Sequence, residues 1–299
     1  MNLQTKQVPF EGIIAYPITP FKDDGKKIDA NKLRPMIERL VTAGVHGIAP
    51  LGSTGVLPYL SNEEREEVTE VTLKTVNGRV PTLVGVSSLT TDQTLHHAKF
   101  AEKAGADAVM IIPMSYWKLT EEEIFRHFET ISNAVSLPIM VYNNPATGGI
   151  DLSPELLARL LQLSNVSMIK ESSGDVQRMH RMMQLLGDSV AFYNGSNPLA
   201  LAAFSAGARG WCTAAPNLIP KLNIELYNAI KENDLHSAQK LFYKQLPLLQ
   251  FILKGGLPRT IAAGLEILGI DAGELRAPLS PVSSKEKEEL KKILSSLEV

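Results

Sequence analysis

Lys170 stands where a buried strand ordinarily carries no charge. The run Val166-Ser167-Met168-Ile169-Lys170 is short and apolar, and it closes in Glu171-Ser172-Ser173-Gly174-Asp175. An apolar run of this length reads as a parallel strand buried on both faces. A lysine there is costly to bury charged and readily loses its proton. A neutral amine at the open end of a strand is a nucleophile that can form a Schiff base with a carbonyl substrate. The plainer alternative is a lysine that snorkels out of the strand end.

Two other apolar runs end in polar groups. Pro138-Ile139-Met140-Val141-Tyr142 closes in Asn143-Asn144-Pro145, and Gly47-Ile48-Ala49-Pro50-Leu51 closes in Gly52-Ser53-Thr54-Gly55. Tyr142 could relay protons near a Schiff base; the alternative is a buried tyrosine with a satisfied hydroxyl. In the glycine-hydroxyl loop, the free amides and the Ser53 and Thr54 hydroxyls can hold a carboxylate or oxyanion. The alternative is a plain turn with a helix cap. The loop lacks the Gly-Lys-Ser/Thr ending of a nucleotide-binding loop. Tyr116, in Pro113-Met114-Ser115-Tyr116-Trp117, reads either as a site residue or as an exposed loop aromatic. A lysine, a phenol and a hydroxyl loop thus fall at carboxyl ends of strands, the face on which parallel α/β barrels build active sites.

Other reactive side chains fit bland roles. His96 and His97 are adjacent on a helix and point to different faces. His46, His127, His180 and His236 fall on helices or helix-to-strand turns and read as surface residues, so no metal site is expected. Cys212 sits mid-strand without a nearby histidine and reads as a small buried hydrophobe, and as a candidate for lining the substrate.

The elements that must position these groups alternate regularly. Strands are expected over 12–19, 47–51, 82–87, 108–113, 138–143, 166–171, 191–194 and 210–213. Amphipathic helices are expected between them, for example over 29–43, 62–75, 92–104 and 121–134. Ser61 with Glu64, and Thr120 with Glu123, have capping-box spacing. Gly44, Gly105 and Gly207 are helix stops. Ala-Gly-Val-His-Gly, Ala-Gly-Ala-Asp-Ala and Ala-Gly-Ala-Arg-Gly recur before the second, fourth and eighth strands. Eight such units predict a (β/α)8 TIM barrel over residues 1–231. Helical patterning at 235–253, 257–268 and 285–297 predicts a C-terminal helical extension, 232–299, packed on the barrel. The lysine- and glutamate-rich tail 283–299 reads as a solvated surface helix. An open doubly wound sheet is the competing architecture, but no Gly-x-Gly-x-x-Gly follows a strand.

Composition narrows the classes. The chain has 299 residues, 44% hydrophobic and 21% charged, with a net charge of −2. That describes an ordinary globular protein without a basic field for nucleic acid. The single cysteine rules out an internal disulfide and fits a reducing compartment. Residues 1–10 lack a signal-peptide pattern, and no apolar run reaches the roughly 20 residues that span a bilayer. A cytoplasmic location is expected, with neither membrane nor nucleic acid as partner.

The three motifs, in this order on an eightfold pattern, resemble the dihydrodipicolinate synthase / N-acetylneuraminate lyase family of class I aldolases. Gly52-Ser53-Thr54-Gly55 matches its Gly-Ser/Thr-Thr-Gly loop, Tyr142-Asn143-Asn144-Pro145 its Tyr-Asn-x-Pro motif, and Ile169-Lys170-Glu171-Ser172-Ser173 its Schiff-base strand. The resemblance implies that Lys170 forms the imine with pyruvate or another 2-oxo acid and that Tyr142 shuttles the proton. It implies that Ser53 and Thr54 hold the carboxylate and link to Tyr142, with Gly52 in the same loop. It aligns Tyr116 with a tyrosine that reaches into a neighbouring subunit's relay, and it implies a homotetramer built as a dimer of dimers, with no cofactor.

Two departures bear on substrate. The family loop usually continues Gly-Glu, and here Gly55 is followed by Val56. In the synthases an arginine after Tyr-Asn-x-Pro grips the far carboxylate, and here Thr147 takes its place. Arg178 or Lys254 are other cations that could serve it. Gly195 and Ser196 follow the seventh strand, where the lyases use polar groups for a sugar-acid chain. The expectation is a Schiff-base lyase on a 2-oxo acid other than a true dihydrodipicolinate synthase. The synthase itself, a 2-keto-3-deoxy sugar acid dehydratase and a non-catalytic 2-oxo acid binder are the alternatives. A phosphate-dependent barrel isomerase would need a glycine-rich phosphate site, of which the chain has only a weak version.

Overall fold

A computed structural model describes residues 8–187 and 190–298. Residues 1–7, on which part of the signal-peptide reading falls, and Val299 at the end of the predicted tail lie outside the described residues. The core strands are β1 (Gly12–Ala15), β2 (Gly47–Ile48), β3 (Leu83–Gly85), β4 (Ala108–Ile111), β5 (Ile139–Asn143), β6 (Val166–Glu171), β7 (Ala191–Asn194) and β8 (Gly210–Thr213). They make one eight-stranded sheet in the order β2-β1-β8-β7-β6-β5-β4-β3. Its registered pairs among the described residues are parallel. Every residue of these strands is buried, which is why they read as unbroken apolar runs rather than alternating ones. With helices between successive strands, this is the (β/α)8 barrel fold with a C-terminal helical region.

Twelve helices punctuate the described chain: α1 (Ala30–Thr42), α2 (Asn62–Val76), α3 (Thr91–Ala104), α4 (Glu121–Ser132), α5 (Pro145–Gly148), α6 (Pro154–Leu160), α7 (Val176–Leu186), α8 (Ala200–Ser205), α9 (Pro220–Lys231), α10 (Leu235–Gly255), α11 (Leu257–Ile267) and α12 (Ser284–Ser296). The capping boxes of α2 and α4 form as their sequences predict. Gly105 ends α3 in the left-handed region at φ 90°, a conformation that costs a glycine nothing.

The chain groups into two compact units. One comprises residues up to Glu11 and Pro81–Cys212, holding β3–β7, α3–α8 and β8 as far as Cys212. The other comprises Gly12–Val80 and Thr213–Val299, holding β1, β2, α1, α2 and α9–α12. Within the second unit, α10 packs on α9, α11 and α12. The tail helix α12 corrects the expectation of a merely solvated surface: Leu290, Leu294 and Leu297 are buried. Lys285, Glu288, Glu289, Lys291 and Lys292 are exposed, so the charge run concealed an apolar stripe at helical spacing.

Several strands are shorter than expected. β1 stops at Ala15 before Pro17, and β2 at Ile48 before Pro50. Proline has no N–H to give a ladder, so the hydrogen-bonded strand ends while the apolar run continues. The surface reading of the histidines holds for His180 and His236, which are exposed, and His96 and His97 lie on different faces as expected, the first exposed. His97 is buried on the inner side of α3. His127 is also pressed inward, and burial pushes its imidazole down to about 4. Its Nδ1 lies 2.9 Å from Thr91 Oγ1. His46 is half-buried, and its Nδ1 accepts the Ile13 backbone N–H at 3.1 Å.

Candidate active site

The site in the first unit is built on two neighbouring strands. Tyr142 on β5 registers opposite Lys170 on β6, and Asn143 opposite Glu171. Successive strand residues point to opposite faces, so Tyr142 and Lys170 share one face and Asn143 and Glu171 the other. Lys170 is only 4% exposed and Tyr142 3%. The lysine therefore does not snorkel to solvent. Its Nζ lies 3.9 Å from the centroid of the Tyr142 ring.

Gly195, just beyond β7, makes room for that lysine. A Cβ at this position would lie 2.9 Å from Lys170 Cε and 1.8 Å from Ser172 Oγ. Any side chain there would displace the amine or the hydroxyl. Ser196 donates its backbone N–H to Asn194 Oδ1 at 3.1 Å, and its carbonyl accepts from Asn194 Nδ2 at 2.9 Å, which fixes the turn. Lys170, Tyr142 and Gly195 are thus brought together, with Ser196 one residue on.

The remaining candidates of this unit sit differently. Thr147 is exposed on the short helix α5. Cys212 is buried on β8. Tyr116 is 88% exposed, with its ring edge-on to Trp117. In one chain it points to solvent rather than into a pocket. Arg178 does not offer a cation to substrate, because Glu171, Asp151 and the Leu152 carbonyl engage it.

In the second unit, Gly52, Ser53 and Thr54 follow β2 in a loop held from both sides. Leu51 and Val56, which flank it, adopt left-handed backbone conformations at φ 59° and φ 50°. Such conformations are unusual for bulky or β-branched residues and persist only where surrounding structure enforces them. Thr19 Oγ1 donates to the Gly55 carbonyl at 2.8 Å. Thr54 is buried and Ser53 half-buried.

Sequence reasoning passed over three features. Ser172 reads in sequence only as part of the lysine motif, yet its Oγ is buried and has no hydrogen-bond partner. Asn144 reads in sequence as a turn residue before proline, yet its Nδ2 donates to the Tyr142 hydroxyl at 2.7 Å. Glu171, only 1% exposed, anchors a polar network behind the strands. It accepts from Asn143 Nδ2 at 3.1 Å, from the Ser173 backbone N–H at 2.7 Å and from Arg178 Nε at 3.2 Å. The signal for the network is a charged residue adjoining another charge inside an apolar run, with an arginine seven residues on.

Chemically, a buried amine next to a phenol, with space kept open by a glycine and an unsatisfied hydroxyl beside it, suits attack on a small carbonyl compound. The model of the dihydrodipicolinate synthetase family matches residues 9–297. A 4-hydroxy-tetrahydrodipicolinate synthase of Methanospirillum hungatei is 36% identical over 288 residues, 96% of this chain and 99% of that protein. A solved structure from Pseudomonas aeruginosa, provisionally named a dihydrodipicolinate synthetase, is 54% identical with a TM-score of 0.94, covering 96% of this chain and 99% of its own. The dihydrodipicolinate synthase of Acinetobacter baumannii, solved in complex with pyruvate, is 28% identical with a TM-score of 0.92, covering 97% of this chain and 99% of its own.

Proposed function

The chain belongs to the dihydrodipicolinate synthetase family, and on that premise we propose that Lys170 is the amine that forms its Schiff base with pyruvate. The family's enzymes are class I lyases of the lysine Schiff-base kind, and this chain is an enzyme of that class. The observation that carries the assignment to Lys170 is its burial at the end of β6, with Nζ 3.9 Å from the Tyr142 ring centroid and the space beside it kept open by Gly195.

The Lys170 amine attacks the C2 carbonyl of pyruvate and forms a carbinolamine. Tyr142 delivers a proton to the departing hydroxyl, water leaves, and the imine remains. The protonated imine is an electron sink, so a proton is lost from C3 and an enamine forms. Its C3 attacks an aldehyde carbon to make the new carbon–carbon bond, and water then hydrolyses the imine and frees Lys170. The reverse sequence is aldol cleavage. Ser53 and Thr54, with Gly52, hold the pyruvate carboxylate. Gly195, Ser196, Thr147 and Cys212 line the second substrate. Tyr116 completes the relay of a neighbouring subunit in a homotetramer, which also accounts for its exposure in one chain. The division into a barrel over 1–231 and a helical extension over 232–299, and a cytoplasmic location, belong to the same reading. Among the described residues no helix is long and apolar enough to cross a membrane.

For the second substrate, the names of the curated relatives favour condensation with aspartate semialdehyde, the synthase reaction. That outweighs the sequence expectation of a lyase other than the synthase. One observation favours the other reading, an aldehyde or sugar-acid chain without a distal carboxylate: Thr147 carries no charge and Arg178 is committed to Glu171 and Asp151. Steady-state condensation of pyruvate with aspartate semialdehyde decides. Efficient turnover establishes the synthase. Weak turnover there, with pyruvate released from a 3-deoxy sugar acid, establishes the second reading. No turnover on any 2-oxo acid contradicts both.

A further inference from the structure

The Tyr142 hydroxyl has a neighbour whose orientation is fixed from its other end. Asn144 follows β5 by one residue and caps the short turn of α5. Its Oδ1 accepts the Thr147 backbone N–H at 3.3 Å. That N–H also lies 3.2 Å from the Asn144 backbone carbonyl, but an NH₂ turned towards it would set donor against donor, so the carbonyl end of the amide faces Thr147. The NH₂ end then faces Tyr142, and Nδ2 lies 2.7 Å from Oη. An amide NH₂ donates and cannot accept. The phenol oxygen is therefore the acceptor in this contact, and its own proton must point elsewhere. A donor aimed at a phenol oxygen favours the phenolate over the phenol, because hydrogen bonds to the charged form are stronger.

We propose that Asn144 is a positioning residue of the proton relay: its side-chain amide aims the Tyr142 proton away from the α5 turn and stabilises the phenolate formed when that proton is given up. The inference rests on the Schiff-base reading above. It adds a residue that the sequence motif does not mark, since that motif specifies Tyr142, Asn143 and Pro145 and leaves position 144 open. It also assigns Asn144 two separable tasks, capping with Oδ1 and donating with Nδ2.

Two substitutions separate those tasks. Asn144→Ser keeps a capping oxygen for the turn, since serine caps as well as asparagine, but has no amide to reach Oη. Asn144→Asp keeps both the cap and the shape, and replaces the donor by a carboxylate that holds the Tyr142 proton and opposes the phenolate. The expected result is a fall in kcat of about tenfold or more in both, the scale of losing one hydrogen bond to a charged group. KM for pyruvate should change little. The basic limb of the kcat–pH profile should move to higher pH, further in Asn144→Asp than in Asn144→Ser. An independent readout is the ultraviolet ionisation difference between each protein and its Tyr142→Phe counterpart. The Tyr142 phenol should ionise at higher pH in both variants than in the natural protein.

Borohydride trapping of pyruvate on Lys170 is run alongside. An intact adduct in all three proteins, with kcat, pH profile and Tyr142 ionisation unchanged, overturns the role of Asn144 and leaves the Schiff base standing. Absence of any adduct in the natural protein overturns the Schiff-base reading, and the Asn144 proposal with it. A kcat loss without a shift in either pH-dependent measurement reduces Asn144 to a turn residue and likewise overturns the proposal.

Discussion

At the ends of β5 and β6, the same two strands present different chemistry on their two faces. On one face Lys170 and Tyr142 stand opposite each other beside Gly195, with Ser172 Oγ unsatisfied nearby. On the other, Asn143 and Glu171 are tied to Arg178, Asp151 and the Leu152 backbone by hydrogen bonds and ion pairs. A saturated polar network is rigid and costly to disturb, because each member left alone is a buried uncompensated group. The contrast teaches that a one-residue step along a strand separates reaction from support. The network pins the register of β5 against β6, and so fixes how close Lys170 comes to Tyr142.

The largest effect should fall on the reactive face. Lys170→Ala should lower turnover by on the order of 10⁴-fold or more, as expected when a covalent nucleophile is removed, while circular dichroism shows the fold retained. Turnover within tenfold of normal would break the comparison. The supporting face should respond the opposite way. Glu171→Ala leaves Arg178 with the exposed Asp151 as its carboxylate partner and strips the Ser173 N–H and Arg178 Nε of their buried acceptor, and should cost about 1–3 kcal/mol in urea-unfolding free energy. A loss under about 1 kcal/mol would show that the network is ornamental.

Tyr142→Phe should reduce kcat at least about 100-fold, the scale for loss of a proton-transfer group, with the lysine still trapped by pyruvate. Unchanged turnover would move the relay to another residue. Thr147→Arg should improve productive binding of aldehydes that bear a distal carboxylate by about 1.5–3 kcal/mol, the range for charged hydrogen bonds. Kinetics with and without that carboxylate would expose a nonspecific effect.

The smallest effect concerns His127, away from both faces. Its folded value of about 4 lies below the ordinary value of 6.5. Between these values the unfolded chain binds a proton that the folded one refuses, so stability falls as pH drops from 6.5 towards 4. His127→Gln should flatten that slope in urea-unfolding midpoints; an unchanged slope would assign it to carboxylates.

Much of this arrangement is legible in the sequence. Lys170 announces itself as a charge in an apolar run, and the glycine-hydroxyl loop as a turn between strand and helix. What the sequence hides depends on three-dimensional approach. Gly195 looks like any loop glycine until the Lys170 stem is seen against it. Asn144 looks like a turn residue, because its partner Oη lies two residues back along the strand but at the end of a long side chain. Glu171 looks like a solvent-facing residue at a strand end until Arg178 folds back from α7 onto it. The buried face of α12 was masked because its leucines are outnumbered by lysine and glutamate in a one-dimensional count.

The central claim is that Lys170 is the amine that takes up the 2-oxo acid. Sodium borohydride added to the protein with pyruvate, followed by intact-mass and peptide analysis, tests it most directly. The account predicts one reduced pyruvate adduct, mapped to the peptide carrying Lys170 and missing from Lys170→Ala. An unmodified Lys170 under conditions that trap an established member of the family, or an adduct mapped to another lysine, would contradict it.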